Sequence, residues 1–297
     1  MKTKTTTQNT TIEQLKLLRR TLGLTQKDLA NLLGISSRTV ESWEAGIRSP
    51  GGTARKMLDM LSARYAIAPQ TAAVRETPAS LFSQYRGPLS RDENIFLAKR
   101  RLVDNIYASA RLEGVNVTFP QTQTILDGAI ANGVSASDIQ TVLNLKAAWT
   151  FVLQTIDDPF SLGYVYRINA EVSRNESLGW GFLREGSVSI SGTKYRPPIP
   201  TRESALAIIR QALAKPSPEE QAIDYFCKAL RAQFFWDGNK RTCTLAANKL
   251  LIQGGAGILQ ISEEKAESFN TALKLYYDTA EDSPLCEVLQ GCIIREL

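Results

Sequence analysis

The chain predicts an all-α protein in two parts: a small N-terminal bundle of the helix-turn-helix kind, then a larger helical domain carrying one β-hairpin. Three observations lead there. Apolar residues recur at helical spacing in many segments of the 297 residues, a single short stretch alternates as a strand does, and the positive charge is gathered at one end. Residues 1–65 hold eleven Lys and Arg against five Asp and Glu, while the remainder holds 24 against 25, so the net charge of +5 belongs to the first fifth of the chain. A compact basic module beside a neutral body points to a polyanion partner. The hydrophobic content of 43% and charged content of 22% are those of a globular protein. No apolar run approaches the roughly 20 residues that cross a bilayer, and the first residues lack the apolar core of a signal peptide, so a cytoplasmic protein with no membrane segment is expected. Cys227, Cys243, Cys286 and Cys292 show no C-x-x-C spacing and read as reduced thiols. With no histidine in the chain, they argue against a structural zinc site.

In the basic module, Ile12 to Leu22 predicts a helix ending at Gly23, Gln26 to Leu33 a second capped by Thr25, and Ser37 to Ala45 a third ending at Gly46. Only Gly34-Ile35-Ser36 joins the second to the third. So short a joint requires a tight turn in which Gly34 takes positive φ, Ala30 lets two backbones approach, and Val40 and Trp43 fill a shared core. The residues Leu24 to Ala30, Gly34 to Ser36 and Val40 to Gly46 resemble the phage-repressor (Cro type) DNA-binding family. That resemblance covers about residues 11 to 65. It implies that Gln26 begins its helix near the DNA backbone, that Ser37, Arg38 and Ser42 face base edges, and that Arg19 pairs with Glu44 inside the module. It also implies a homodimer, since one such module binds weakly. A three-helix basic bundle that contacts protein is the alternative.

Pro and Ala interrupt the helical pattern after Tyr65, which places a linker at 66–84 and domains at 1–65 and 85–297. Beyond it, helices are predicted over Arg91 to Glu113, Ala136 to Ile156, Asp158 to Ser173, Arg202 to Ala214, Pro218 to Phe235 and Arg241 to Leu251. Ser187 to Ile190 and Thr193 to Tyr195, around a Ser191-Gly192 turn, read as a lone hairpin (187–195) that packs on helices and offers a free edge to an extended protein target.

The most informative stretch is Gln233-Phe234-Phe235-Trp236-Asp237-Gly238-Asn239-Lys240-Arg241. Asp-Gly-Asn is a turn sequence, and Cys243, Ala246, Ala247, Leu250 and Leu251 follow at helical spacing, so a helix starts near Lys240. Its first amides lack intrahelical acceptors, and with the dipole, Lys240 and Arg241 they make an anion site; Asp237 stands just outside, placed to hold a hard cation on the same phosphates. Gln233 continues the apolar stripe of Ala222, Phe226, Ala229 and Leu230 and is expected to point inward. Two readings of it are open: a residue working on a reaction at the phosphates, or a buried amide bonded to the turn's own backbone.

This stretch is similar to the Fic family motif, His-x-Phe-x-Asp/Glu-Gly-Asn-Gly/Lys-Arg-x-x-Arg, and Gly181 to Arg184 with the hairpin and Pro197-Pro198 look like that family's flap. The resemblance covers roughly residues 85 to 295. It implies a helical Fic-like domain that binds ATP with magnesium and moves AMP to a protein hydroxyl, with Asp237 on the metal, Gly238, Asn239 and Lys240 along the phosphates, and Arg241 touching them. Two departures stand out: Gln233 occupies the position of the proton-removing histidine, and Thr244 that of the last arginine. An amide takes no proton near neutral pH, and losing a general base costs about 100- to 10,000-fold. Ser109-Ala110-Arg111-Leu112-Glu113-Gly114 matches the family's inhibitory pattern, in which Glu113 would enter the site and pair with Lys240 or Arg241. The expectation is a DNA-binding regulator with a nucleotide pocket of impaired or altered transferase chemistry. The alternatives are an active enzyme that adenylylates or de-adenylylates protein under control of Glu113, and a toxin-antitoxin-like or scaffold protein.

Overall fold

The computed structural model describes residues 12, 15–19, 24–33, 35–51, 54–56, 58, 89–177 and 179–296. The chain forms two compact units, residues 1–87 and 88–297. The expected linker at 66–84, and Gly34 with its expected positive φ, lie outside the described residues.

In the first unit, residues 15–19 are helical, followed by α1 (Gln26–Leu33) and α2 (Ser37–Glu44). Thr25 caps α1, its Oγ1 accepting from the Asp28 amide at 3.1 Å while the Asp28 carboxylate accepts from the Thr25 amide at 2.9 Å. Ser36 caps α2, and Gly46 at φ 73° follows its end. The buried core among the described residues is Leu15, Leu18, Leu29, Ala30, Leu33, Val40, Trp43 and Leu58. Arg19 reaches Glu44 through Nε at 2.7 Å and Nη2 at 3.2 Å, which is the pairing expected from the sequence.

The second unit holds α3 (Arg91–Arg100), α4 (Leu102–Leu112), α5 (Phe119–Leu126), α6 (Ala136–Gln154), α7 (Leu162–Val172), α8 (Arg202–Leu213), α9 (Pro218–Ala232), α10 (Asn239–Gln253), β1 (Ile258–Leu259), α11 (Glu263–Thr279), α12 (Ser283–Gln290) and β2 (Ile293–Ile294). At its centre lies α10, packed on α9, α7, α6 and α3 and buried on every side from Leu245 to Ile252. The two polar residues of that stretch, Asn248 and Lys249, are buried with backbone carbonyls as partners, those of Leu259 and Ile156. None of the described helices is long and apolar enough to cross a membrane.

The predicted helix over 91–113 is two helices, because Arg101 leaves helical geometry at φ −95° and ψ 20°. The predicted helix at 158 begins only at Leu162, where the Ser161 hydroxyl accepts from the Tyr164 amide. Segment 187–195 does turn at Ser191-Gly192, with Gly192 at φ 81°, but its arms carry no strand pairing among the described residues. Side chains hold it instead, so a hairpin with a β-ladder is corrected to a pair of extended arms. The two-stranded sheet lies elsewhere: β1 and β2 pair antiparallel, Ile258 opposite Ile294 and Leu259 opposite Ile293. Asn248 anchors it, accepting from the Leu259 amide at 2.8 Å and donating to the Leu259 carbonyl at 2.9 Å.

Candidate functional site

The site is built where α9 ends and α10 begins, and its shape is set by two residues in left-handed backbone geometry. Helix α9 stops at Ala232, three residues short of the sequence expectation, because Gln233 takes φ 48° and ψ 67°. Gly238 takes φ 71° and enters α10; a Cβ there would lie 2.3 Å from Ser173 Oγ and 2.8 Å from a Val172 methyl, so only glycine fits. Between them the turn clasps itself. Asn239 accepts from the Phe235 amide at 3.0 Å and donates to the Phe235 carbonyl at 2.8 Å, while Asn169 and Ser173 donate to the Asp237 carbonyl at 3.0 and 3.3 Å. Helix α10 starts without a side-chain cap, leaving its first-turn amides for an outside acceptor.

In front of this turn opens a cleft of about 640 Å³, lined by Gln233, Trp236, Asp237, Gly238, Asn239 and Lys240 from the turn, Glu113 from the end of α4, Asn270, Leu273, Lys274 and Tyr277 from α11, and Ser189 to Ser191 with Thr193 from the extended arms. Gln233 reaches the cleft wall from the helix end and does not follow the apolar stripe inward as expected. Its Nε2 donates to the Leu230 carbonyl at 2.8 Å and lies 3.1 Å from the Tyr277 hydroxyl. The carbonyl partner accepts only, which fixes the amide's orientation and leaves Oε1 without a protein partner among the described residues. Burial pushes the Tyr277 hydroxyl above the ordinary phenol range, so it stays protonated.

Glu113 enters the cleft as the sequence pattern implies. Gly114 at φ 81° follows it at the end of α4, and Glu113 Oε2 lies 3.4 Å from Lys240 Nζ, which also donates to the Leu112 carbonyl at 2.9 Å. Glu113 Oε1 and Arg241 Nε face each other at 4.0 Å, both buried and neither hydrogen-bonded. Ser109 lies back along α4 and does not line the cleft.

Arg241 departs from expectation. Its side chain is 5% exposed, is not among the residues that line the cleft, and donates to Glu176 at 2.6 Å and to the Val172 carbonyl at 3.2 Å; its Nη2 lies 3.5 Å from the Asp237 carboxylate. Glu176 in turn accepts from Asn144 at 2.8 Å. The guanidinium thus braces the turn from behind. Thr244 Oγ1 donates to the Lys240 carbonyl at 2.9 Å and stays within the helix.

Sequence reasoning assigned no role to Arg184, Asn169, Glu176 or Tyr277. Arg184 is fully buried and donates to the carbonyls of Gln233 at 2.6 Å, Pro198 at 2.6 Å and Pro197 at 3.3 Å, and to that of Gly186. Burial lowers its affinity for the proton, and its hydrogen-bond partners among the described residues are carbonyls. Both feet of the extended arms are thereby tied to Gln233. At the far end Thr193 donates to Asp278, Tyr195 stacks on Tyr277 with centroids 6.0 Å apart, and Arg231 lies 3.9 Å above the Tyr195 ring. The only signal for Arg184 was its place just before the arms.

In the first unit, Gln26 begins α1, but its amide is occupied, donating to Glu44 at 2.7 Å. Arg38 is exposed and unpaired among the described residues, and Ser37 and Ser42 are partly exposed on the same helix.

An all-α domain with a self-clasped Asp-Gly-Asn turn at a helix start, beside a short basic helical bundle, defines the class. The helix-turn-helix family model matches residues 15–58 and the Fic/DOC family model residues 159–251, so the chain carries an N-terminal helix-turn-helix domain and a Fic domain. It is 25% identical over 211 residues to "Protein adenylyltransferase Fic" of Aedes aegypti, a match spanning 67% of this chain and 42% of that protein. Among solved structures, Fic-1 from C. elegans superposes with a TM-score of 0.59 at 17% identity, covering 90% of this chain and 81% of that one. A Fic family protein from Desulfovibrio desulfuricans gives 0.55 at 20% identity, covering 71% and 66%, and a Fic domain containing signaling protein from Bacteroides thetaiotaomicron 0.56 at 18%, covering 72% and 91%. At these identities the structures share the fold.

Proposed function

We propose that this protein is a DNA-binding regulator whose Fic domain binds a magnesium nucleotide and has impaired or altered AMP-transferase chemistry. In this reading residues 1–65 bind DNA as a homodimer, 66–84 link, and 85–297 bind the nucleotide. The observation that carries it is position 233. The Gln233 amide is held by Leu230 and Tyr277, so it offers the cleft an oxygen that accepts a hydrogen bond from a hydroxyl but takes no proton near neutral pH. The phosphate-receiving part is kept: the uncapped amides of α10, Gly238, Asn239 and Lys240 line the cleft and suit an anion. Arg241 supports this floor through Asp237 and Glu176.

Asp237 is the one cleft carboxylate on the turn, about half exposed, with Oδ1 accepting from the Gly238 amide at 2.6 Å. No cluster of three or more metal-ligating side chains exists among the described residues. That donor set fits magnesium brought with a nucleotide, which uses one or two carboxylates and the phosphates themselves. Asp237 would hold the ion, whose charge would draw the phosphates together. The position of Glu113 in the cleft favours a second reading, removal of AMP from a protein hydroxyl with Glu113 as base toward water.

The deciding experiment incubates labelled ATP and magnesium with the parent protein, Gln233→His, and Gln233→His combined with Glu113→Gly. Saturable, magnesium-dependent binding by the parent, with label on protein only for the histidine forms, is expected. Label moved by the parent and lost on Asp237→Ala would replace this reading with an active enzyme. No binding by any form would leave a scaffold.

A further inference from the structure

Helix α9 carries a second chemical feature, one turn and a half before its end. The Sγ atoms of Cys227 on α9 and Cys286 on α12 lie 3.9 Å apart, although 59 positions separate them in the chain. The two helices pack directly on each other. Cys227 is fully buried, whereas Cys286 is half-buried. Cys243 and Cys292 are both buried and have no sulfur neighbour among the described residues. We propose that Cys227 and Cys286 are a peroxide-reactive thiol pair that closes to a disulfide between α9 and α12.

The division of labour follows from burial and from the sulfur-sulfur hydrogen bond. The contact with Cys286, and then burial, raises the Cys227 thiol, so Cys227 is the proton-keeping partner of the pair, and the same contact draws Cys286 below the usual thiol range. Lys215 favours the Cys286 thiolate, while Asp282 and Asp224 oppose it. The thiolate attacks one oxygen of hydrogen peroxide; the O–O bond breaks, Cys286 becomes a sulfenic acid and hydroxide leaves. The Cys227 sulfur then attacks the Cys286 sulfur, the S–O bond breaks, and the Cys227 proton leaves with the departing oxygen as water. Two thiols are oxidised and one peroxide is reduced to water. A bond of about 2.05 Å requires the two sulfurs to close from 3.9 Å, on helices already in contact.

The test uses the reduced full-length chain, treated with hydrogen peroxide, alkylated under denaturing conditions and analysed by intact mass and peptide mapping. The expected product has lost the mass of two hydrogens, keeps Cys243 and Cys292 alkylatable, and joins the peptides holding 227 and 286. Cys227→Ser should stop at a sulfenic acid on Cys286 that a dimedone probe captures, and Cys286→Ser should leave every remaining thiol free. Four alkylated thiols in the peroxide-treated parent, oxidation of Cys286 beyond sulfenic acid without a joined peptide, or a bridge between other cysteines would overturn the proposal. The parent spectrum decides by itself if a variant fails to fold.

Discussion

Arg184 Nε lies 2.6 Å from the carbonyl oxygen of Gln233, and this contact joins a fully buried cation to a residue held in left-handed geometry. A non-glycine residue in that region costs roughly 1 kcal/mol, so something must hold it there. The guanidinium does so while also gathering Gly186, Pro197 and Pro198. Arg184→Ala would leave several buried carbonyls without donors. It should destabilise the domain by about 3 kcal/mol, read as a lower urea midpoint. Arg184→Lys should recover only part, since an ammonium has three donors and no planar fork. A midpoint unchanged in the alanine form would mean that the arms are held from their far end.

Gly238 is the other left-handed residue that shapes the turn, and here the constraint is space as well as backbone. A Cβ meets Ser173 Oγ at 2.3 Å and a Val172 methyl at 2.8 Å, both on the element that anchors Asp237. Gly238→Ala should cost about 2 to 3 kcal/mol, combining left-handed strain with overpacking. Thermal unfolding measures it. Combining it with Ser173→Ala should return part of the loss, because the nearest clashing atom is removed.

Lys249 is fully buried in α10, donates to the Ile156 carbonyl and lies 5.2 Å from the centre of the Tyr164 ring. Burial lowers its pKa from 10.5 to about 8. Between those values the unfolded chain holds a proton that the folded chain has released, so stability rises with pH across that window. The full rise is bounded by about 3 kcal/mol. Lys249→Met should flatten that part of the stability profile relative to the parent. Parallel profiles from pH 7.5 to about 10 would show that Lys249 keeps its ordinary affinity.

On the helix-turn-helix domain, Arg38 is exposed on α2 and unpaired among the described residues, whereas Gln26 is spent on Glu44. For a duplex of arbitrary sequence, Arg38→Ala should weaken binding and lower the slope of affinity against salt by about one. Gln26→Ala should change that slope little. Equal slopes for Arg38→Ala and the parent would place the DNA elsewhere.

What was legible in the sequence follows from which interactions are local. Thr25 and Asp28 cap a helix from three positions apart, and Asp237 to Asn239 make a turn whose helix starts at Asn239, one residue before the expected Lys240. Glu113 could be placed because its motif is contiguous. The end of α9 is not legible because Gln233 continues the apolar spacing, while its bonds to Arg184 and Tyr277 are to residues far away in the chain. Arg241 misled for a similar reason: its charge fits an anion site, but Glu176, 65 positions away, claims it. Short strands such as Ile258–Leu259 have no period to read, and the arms of 187–195 alternate without pairing.

Lys240 stands between two claims in the cleft. Glu113 Oε2 is 3.4 Å away and the Leu112 carbonyl 2.9 Å, both from the end of one helix, α4. That helix end is itself fastened to α11, Arg111 reaching Glu263 at 2.8 Å and the Tyr107 hydroxyl donating to Glu263 at 2.7 Å. A phosphate arriving at α10 would have to share Lys240 and would meet the Glu113 carboxylate as a like charge. Glu113→Gly should therefore tighten magnesium-ATP binding by about tenfold, since removing such a repulsion is worth about 1.4 kcal/mol. Glu113→Gln should give most of the gain, because it removes charge while keeping the side chain's volume. Glu263→Ala should give a smaller gain by loosening the helix end. Calorimetry in low salt reads all three, and raised salt should narrow the difference between parent and variants. Weaker binding in the Gln form would mean that Glu113 supports the nucleotide.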